Sequence, residues 1–172
     1  MINEKINNAF NEQIKNEIFS AYLYLSMSAY FSSKDLDGMA SWMKVQAQEE
    51  MIHAMNFFNH LKDRDGKIQL FAIDKPKSEW SSPLEVWKEA YKHEQFITSK
   101  INTLTKLATD ESDYTALPLL HWFVNEQIEE ESSTSKVANT LELIGNSGDG
   151  LIMLDRELAA RTFVYPTTGG VQ

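Results

Sequence analysis

Apolar residues recur every three and four positions through most of the chain, which is the period of amphipathic α-helices. Breaker residues interrupt this period in only four places, at 32–38, 63–83, 109–112 and 145–150. The pattern predicts four long helices and a short one, at about 3–32, 36–63, 83–109, 113–144 and 149–162. We therefore expect an all-α chain that forms one domain over residues 1–172 and ends in a flexible tail at 163–172.

The connections between these segments predict how the helices are arranged. The first and third interruptions are short, so each joins two antiparallel neighbours. The second connection, DGKIQLFAIDKPKSEWSSP, could extend to about 60 Å, whereas a helix of about 30 residues is only about 45 Å long. We expect a four-helix bundle of two hairpins joined by one long crossover; a connection that loops out from a shorter bundle is the alternative. The fifth helix is too short to be stable alone in water, so it must dock on the bundle.

Each long helix carries one glutamate on its apolar seam. The seven-residue repeat that follows a bundle seam passes through all of them: Glu17, Glu50, Glu94 and Glu130. Each lies about 12 to 17 residues from the start of its helix, so antiparallel packing brings the four to a common level. His53 comes three residues after Glu50 and projects from nearly the same face of the helix.

Carboxylates that converge in a core need protons or a counter-charge, because an isolated buried carboxylate is unstable and several together repel. The seams carry no lysine or arginine. A multivalent metal is the economical solution, and carboxylates with one imidazole suit iron or manganese better than zinc. Our working hypothesis is two ions that share Glu50. The alternative is that these glutamates lie on solvated faces, as most helical glutamates do.

Composition excludes several classes of function. The chain has no cysteine, which excludes disulfides, thiolate metal ligands and a cysteine nucleophile. Its net charge of −9 and its lack of a Lys/Arg cluster argue against nucleic acid and favour cations as partners. No run approaches the roughly 18 apolar residues of a membrane span, and the opening MINEKINNAF does not resemble a secretory signal. We expect a cytoplasmic protein without a membrane partner.

Over about residues 1–162 the chain resembles the non-haem ferritins of the prokaryotic type, through Glu17, Glu50, His53, Glu94, Gln127 and Glu130. The resemblance implies that Glu17 and His53 bind a first iron ion and that Glu50 bridges to a second. It further implies that Glu94 and Glu130 hold the second ion. In this interpretation the chain is an enzyme, a ferroxidase.

The resemblance extends to residues around this pair. It places Gln127 close to the second iron, and it implies a third iron site at Glu49, Glu126 and Glu129. Tyr24, one heptad after Glu17 on the first helix, corresponds to the family's tyrosine near the dinuclear centre. That tyrosine either hydrogen-bonds a ligand or gives up an electron.

Differences from two related groups, the bacterioferritins and the animal ferritins, favour the prokaryotic non-haem type. Bacterioferritins have a second Glu-x-x-His where this chain has Gln127 and Glu130, so no haem between subunits is expected. Animal ferritins usually lack a carboxylate at the position of Glu130, which again favours the prokaryotic type.

The resemblance also implies a larger assembly, a hollow shell of roughly twenty-four identical subunits with the fifth helix near its four-fold axes. Such a shell oxidises Fe(II) with dioxygen (O2) or hydrogen peroxide (H2O2) and stores a ferric mineral inside. The seam pattern alone predicts only the bundle and the dinuclear site. Two other functions therefore stay open, namely a peroxidase or manganese catalase on the same bundle, and a bundle with no catalytic role.

Overall fold

The computed structural model describes residues 2–165, which form five α-helices and no strand. The helices are α1 (Glu4–Ser32), α2 (Asp37–Asp63), α3 (Pro83–Asp110), α4 (Leu117–Ile144) and α5 (Gly148–Leu158). This confirms the predicted all-α fold, with a long crossover between α2 and α3 and a short fifth helix. Among the helices of residues 2–165, none is both long and apolar enough to cross a lipid bilayer.

Contacts at one end of the bundle define the direction of each helix. Asn3, just before α1, donates from Nδ2 to Glu111 Oε2, just after α3, at 2.8 Å. Arg64, just after α2, donates from Nη1 to Asp113 Oδ2, just before α4, at 2.8 Å. Thus α1 is antiparallel to α3, and α2 is antiparallel to α4. Because the short connections also make α1 antiparallel to α2, the crossover must run the length of the bundle.

The crossover is attached to α1 by side chains of that helix. Asn7 and Asn11 each donate from Nδ2 to the Lys67 carbonyl, at 3.0 and 2.8 Å. Further along α1, Ser26 Oγ donates to the Lys77 carbonyl at 2.6 Å. From Asn7 to Ser26 the helix rises by about 28 Å, so the crossover follows α1 over most of its length. These bonds satisfy backbone groups of a segment that has no regular secondary structure.

The fourth helix begins at Leu117, later than the predicted start near 113. Ser112 has a φ of 55°, which breaks helical geometry, and the following residues form a tight turn. Asp113 stabilises this turn, because its Oδ1 accepts from Thr115 Oγ1 at 2.7 Å and its backbone N donates to the Ala108 carbonyl at 2.8 Å. The side-chain bonds of the turn therefore outweigh the helical pattern over these residues.

The fifth helix ends at Leu158, earlier than the predicted end near 162. Beyond it, the backbone N–H groups of Ala160 and Arg161 each bond the carbonyl three residues earlier, which closes the helix with tighter turns. Residues 162–165 have no regular secondary structure. The rest of the predicted flexible tail, 166–172, lies outside the described residues.

The core of the bundle consists of two apolar clusters with a polar layer between them. One cluster includes Phe31 and Trp87 and lies at the end where α2 and α3 begin. The other includes Phe10, Phe57 and Phe123 and lies at the opposite end. The rings of Phe57 and Phe123 stack with their centroids 4.4 Å apart. The two clusters thus close the polar layer from both ends of the bundle.

The fifth helix docks on the N-terminus of α2. Leu154 and Leu158 are buried in the first apolar cluster. Asp155 accepts hydrogen bonds from the backbone N–H groups of Gly38, at 3.1 Å, and Met39, at 2.8 Å. It replaces the missing cap of α2, since the residue before that helix makes no side-chain cap bond. The approach requires Gly38, where a Cβ would lie 1.8 Å from the Asp155 carbonyl oxygen.

Replacing Asp155 with alanine should lower the free energy of unfolding by about 1 to 2 kcal/mol, because two N–H groups of α2 lose their acceptor. Urea denaturation measures this loss. Asp149→Ala, in the exposed first turn of α5, is the matched control and should cost less. Equal losses in the two variants would contradict the capping role of Asp155.

Candidate metal centre

The polar layer contains side chains from all four long helices. Its members are Glu17 from α1, Glu50 and His53 from α2, Glu94 from α3, and Gln127 and Glu130 from α4. None of the six is more than 7% exposed. They lie at one level because each is near the middle of its helix, as the seam pattern predicts.

Three groups of acidic and imidazole side chains place ligand atoms within 4.8 Å of one another. The groups are Glu17 with Glu50 and His53, Glu50 with Glu94 and Glu130, and His53 with Glu126 and Glu130. Glu50 belongs to the first two groups, so its carboxylate lies between two positions that could each hold a metal ion. The donors are carboxylate oxygens and an imidazole nitrogen, a set that suits iron or manganese.

A single amide, that of Gln46, orients the two carboxylates from α2 and α4. Its Nε2 donates to Glu50 Oε1 at 2.7 Å and to Glu130 Oε1 at 2.8 Å. His53 Nδ1 lies 3.3 Å from Glu50 Oε2 and 3.8 Å from Glu130 Oε1. The Phe123 ring packs edge-on against the imidazole, with centroids 5.4 Å apart. Packing and hydrogen bonds therefore orient these side chains.

Two more amides and a phenol hold the carboxylates of α1 and α3. Gln13 Nε2 donates to Glu17 Oε1 at 2.7 Å. Gln127 Nε2 donates to Glu94 Oε2 at 3.3 Å. The buried hydroxyl of Tyr24 donates to Glu94 Oε1. One oxygen of Glu17 is thus anchored while its Oε2 has no partner among the described residues, whereas both oxygens of Glu94 accept hydrogen bonds.

Several buried polar atoms of the layer have no hydrogen-bond partner among the described residues. They are Glu17 Oε2, His53 Nε2, Gln127 Oε1 and Glu130 Oε2. Such atoms are rare in folded proteins, because each one costs the free energy of its lost hydration. All four are atoms that can coordinate a metal ion. The donor set therefore fits a multivalent cation.

Burial raises the pKa of three of these carboxyl groups, and the negative charge of Glu50 adds to the effect. The pKa of Glu94 rises to about 8, and the pKa values of Glu17 and Glu130 rise well above their ordinary range. At neutral pH the carboxyl group of Glu94 therefore holds a proton when no cation is present. Binding of a cation must release that proton, so its affinity depends on pH.

Glu50 and His53 behave differently, because they form a buried ion pair. Burial alone would raise the pKa of Glu50, but the charge and the hydrogen bond of His53 lower it. Burial alone would lower the pKa of His53, but the charge and the hydrogen bond of Glu50 raise it to about 9. The metal-free layer thus contains one carboxylate whose counter-ion is an imidazolium. A metal ion at the first position would take the place of that proton.

Next to the layer is an open cavity of about 340 Å³, which we call the acidic vestibule. Its walls include three carboxylates and one guanidinium, from Glu49, Glu126, Glu129 and Arg161. Glu126 is the link to the layer, since it belongs to the group that contains His53 and Glu130. Arg161 donates from Nη2 to Glu49 Oε2. The vestibule therefore lies beside the buried layer, with Glu126 between the two.

The structure divides the residues singled out from the sequence into three sets by their location. The five ionisable ones, Glu17, Glu50, His53, Glu94 and Glu130, come together with Gln127 in the layer. Tyr24 contacts the layer through Glu94. Glu49, Glu126 and Glu129 line the vestibule, and of these only Glu126 belongs to one of the three ligand groups.

Sequence reasoning missed three polar residues that contact these side chains: Gln13, Gln46 and Arg161. The sequence could have indicated two of them. Gln13 precedes Glu17 by four residues and Gln46 precedes Glu50 by four, so each lies next to its glutamate on the helix. Nothing in the sequence indicated Arg161, since the pattern predicts only that it lies in the last turn of the fifth helix.

A four-helix bundle with a long crossover and inward carboxylates from every helix defines the ferritin-like class of proteins. The family model described as a ferritin-like domain matches residues 7–144. The chain belongs to the ferritin family, which confirms the resemblance seen in the sequence.

Relatives with known names and structures cover nearly the whole chain. A bacterial non-heme ferritin of Staphylococcus aureus is 34% identical over 95% of this chain and 98% of its own length. One from Escherichia coli is 38% identical over 92% of this chain and 96% of its own length. The open pore ferritin of the hyperthermophilic archaeon Archaeoglobus fulgidus is 44% identical, with a TM-score of 0.92 over 94% of this chain and 100% of that one.

Glu94 should make the metal-free protein less stable as the pH rises. Its carboxyl keeps a proton to about pH 8 in the native state but loses it near 4.5 in the unfolded chain. Its stabilising contribution is therefore complete below about pH 4.5 and is lost as the pH rises to about 8. Glu94→Gln, which imitates the protonated form, should reduce the loss of unfolding free energy between these values by at least about 1 kcal/mol.

Urea denaturation with a metal chelator present, at pH 5 and pH 8, measures this difference. The exposed Glu79 of the crossover offers a control with the same chemical change, Glu79→Gln. If Glu94→Gln and Glu79→Gln had the same pH dependence, a proton on Glu94 would not be responsible.

Proposed function

We propose that this protein is an iron-storage ferritin. It oxidises Fe(II) at a di-iron ferroxidase centre within each subunit and stores the ferric product as an oxyhydroxide mineral inside a hollow shell. The observation that supports this most directly is the buried layer of oriented carboxylates and one imidazole, several of whose donor atoms lack a partner. Membership of the ferritin family and the names of its non-heme relatives support iron as the ion.

Two Fe(II) ions are the substrate of the centre. The first binds to Glu17, Glu50 and His53, and the second to Glu50, Glu94 and Glu130, so Glu50 bridges the two. This assignment follows the two ligand groups that share the Glu50 carboxylate. A shared carboxylate keeps the ions close together, which is what the removal of two electrons by one oxidant molecule requires.

Each pair of Fe(II) ions gives two electrons to dioxygen, which takes up two protons and becomes hydrogen peroxide. With hydrogen peroxide as the oxidant, two electrons and two protons yield two molecules of water. The Fe(III) product is a harder ion and hydrolyses to a mineral with release of protons. The carboxyls of the layer, whose pKa values are raised by burial, exchange protons as ions bind and leave.

Three further carboxylates extend the site. Glu49, Glu126 and Glu129 hold a third iron ion in the vestibule next to the dinuclear pair. Support comes from the cavity that they line and from the closeness of Glu126 to His53 and Glu130. Gln127 stays beside the second ion through its bond to Glu94.

The functional unit is a homo-oligomer of roughly twenty-four subunits, as is usual for closed symmetric assemblies of this family. Large apolar side chains on the outer faces of the helices support subunit contacts. Leu143 is 89% exposed in the single chain and Met153 71%, and contacts between subunits would remove such side chains from water. We place the protein in the cytoplasm, with neither nucleic acid nor a membrane as partner, and we expect no haem.

The first test is stopped-flow absorbance after metal-free protein is mixed with two Fe(II) ions per subunit in aerated buffer, read alongside particle mass. Rapid oxidation with a stable ferric product on a particle of roughly half a megadalton supports the proposal. Rapid turnover of hydrogen peroxide without a ferric core would instead indicate a peroxidase or a manganese catalase. Oxidation no faster than in buffer would contradict a ferroxidase.

Glu50→Ala should slow Fe(II) oxidation by at least about 100-fold, since both metal positions lose the carboxylate that they share. Assembly should be almost unchanged, because Glu50 lies inside one bundle. Stopped-flow rates and particle mass check both parts of this expectation. Glu79→Ala, in the exposed crossover, serves as the control. Rapid oxidation by the Glu50 variant would rule out the assignment of a bridging role.

Tyr24→Phe should slow oxidation by about tenfold while two Fe(II) ions still bind per subunit. The phenol anchors Glu94 through a hydrogen bond, and loss of that bond lets the carboxylate move away from its position. Tyr22→Phe is a matched control on the same helix, because Tyr22 is 47% exposed. Equal rates in the two variants would show that Tyr24 has no role beyond packing.

A further inference from the structure

Arg161 places a positive charge in the acidic vestibule. Its Nη2 donates to Gln46 Oε1 at 2.9 Å and to Glu49 Oε2. Its guanidinium lies over the Trp42 ring, 4.0 Å from the centroid. A side chain that follows the last helix thus reaches back to α2, where it contacts an acid, an amide and an aromatic face.

The guanidinium of Arg161 is the positive charge that balances the carboxylates of the vestibule. Within residues 2–165, no lysine and no other arginine forms an ion pair with Glu49, Glu126 or Glu129. Burial raises the pKa of Glu49 while Arg161 opposes that effect, as expected for a charge pair that water screens only in part. A cation bound by the three carboxylates would therefore compete with Arg161 for the same negative charge.

The guanidinium of Arg161 is only partly bonded and partly exposed. Its Nη1 is buried without a hydrogen-bond partner, so the guanidinium uses only part of its bonding capacity. Its side chain is 25% exposed, and the backbone that carries it has left α5. A change of its side-chain torsions does not require α5 to move, because Arg161 lies beyond the end of that helix.

We propose that Arg161 is a tethered cation that occupies the vestibule until a third metal ion displaces it, so that the dinuclear positions fill first. This inference rests on the proposed function for the identity of the third ion, but not for the competition itself. Displacement also affects the neighbouring site. Arg161 fixes the Gln46 carbonyl oxygen, and the opposite end of that amide donates to Glu50 and Glu130. A third ion therefore changes the hydrogen bonding of the bridging carboxylate.

The test is a titration of the metal-free full-length protein with Zn²⁺, which cannot be oxidised, followed by calorimetry. Arg161→Gln should bind a third Zn²⁺ per subunit about tenfold more tightly than the unaltered protein, with a smaller change at the first two positions, where Gln46 loses one hydrogen bond. Arg156→Gln, on the exposed face of α5, makes the same change of charge five residues away and should have no effect. Arg161→Lys keeps the positive charge and should stay close to the unaltered protein.

Terbium luminescence provides a second measurement. Tb³⁺ in the vestibule lies beside the indole of Trp122, which lines the cavity, and emits when that indole is excited. Arg161→Gln should increase this emission at low Tb³⁺ concentration, and the added change Glu126→Gln should abolish the increase. Circular dichroism checks that each variant is folded.

Two results would overturn the proposal. One is equal third-site affinity in Arg161→Gln and Arg156→Gln. The other is a gain of affinity in Arg161→Lys as large as in Arg161→Gln, which would mean that shape rather than charge blocks the vestibule. Both are independent of Fe(II) oxidation. Slow oxidation by the unaltered protein would contradict the ferroxidase while leaving the competition between Arg161 and Zn²⁺ to be decided by the titration.

Discussion

The burial of four carboxyl groups in one layer is the constraint on which the rest of the bundle depends. Carboxylates in a medium of low polarity repel one another and lose their hydration, so the helices can hold them there only with compensation. The chain supplies three kinds of compensation: glutamine amides, an imidazolium for Glu50, and a proton on Glu94. The two apolar clusters on either side provide the packing that keeps this layer closed.

The two ligand groups that share Glu50 differ in their donor chemistry. The first combines an imidazole with carboxylates, and the second has carboxylates alone. Nitrogen donors suit Fe(II), whereas carboxylate oxygens prefer the harder Fe(III). On the proposed function, the second position retains the oxidised ion more strongly than the first.

Much of the fold was predictable because it depends on periodic features. The spacing of apolar residues predicts four long helices, and the length of the crossover predicts their connection. The grouping of Glu17, Glu50, Glu94 and Glu130 follows from their shared depth in antiparallel helices, although their roles as ligands stay a prediction. What could not be predicted depends on contacts between distant segments. The late start of α4 comes from the bonds of Asp113, and Arg161 reaches Glu49 only through a chain path that no local pattern describes.

The cap that Asp155 provides for α2 joins distant parts of the sequence. Asp155 follows Gly38 by 117 positions and Met39 by 116. During synthesis the N-terminus of α2 leaves the ribosome long before the residue that completes it. Until α5 arrives, the first turn of α2 has free N–H groups and the first apolar cluster lacks two of its leucines. The fifth helix thus completes the N-terminus of the second, and this end of the bundle reaches its final form only after residue 158 has been synthesised.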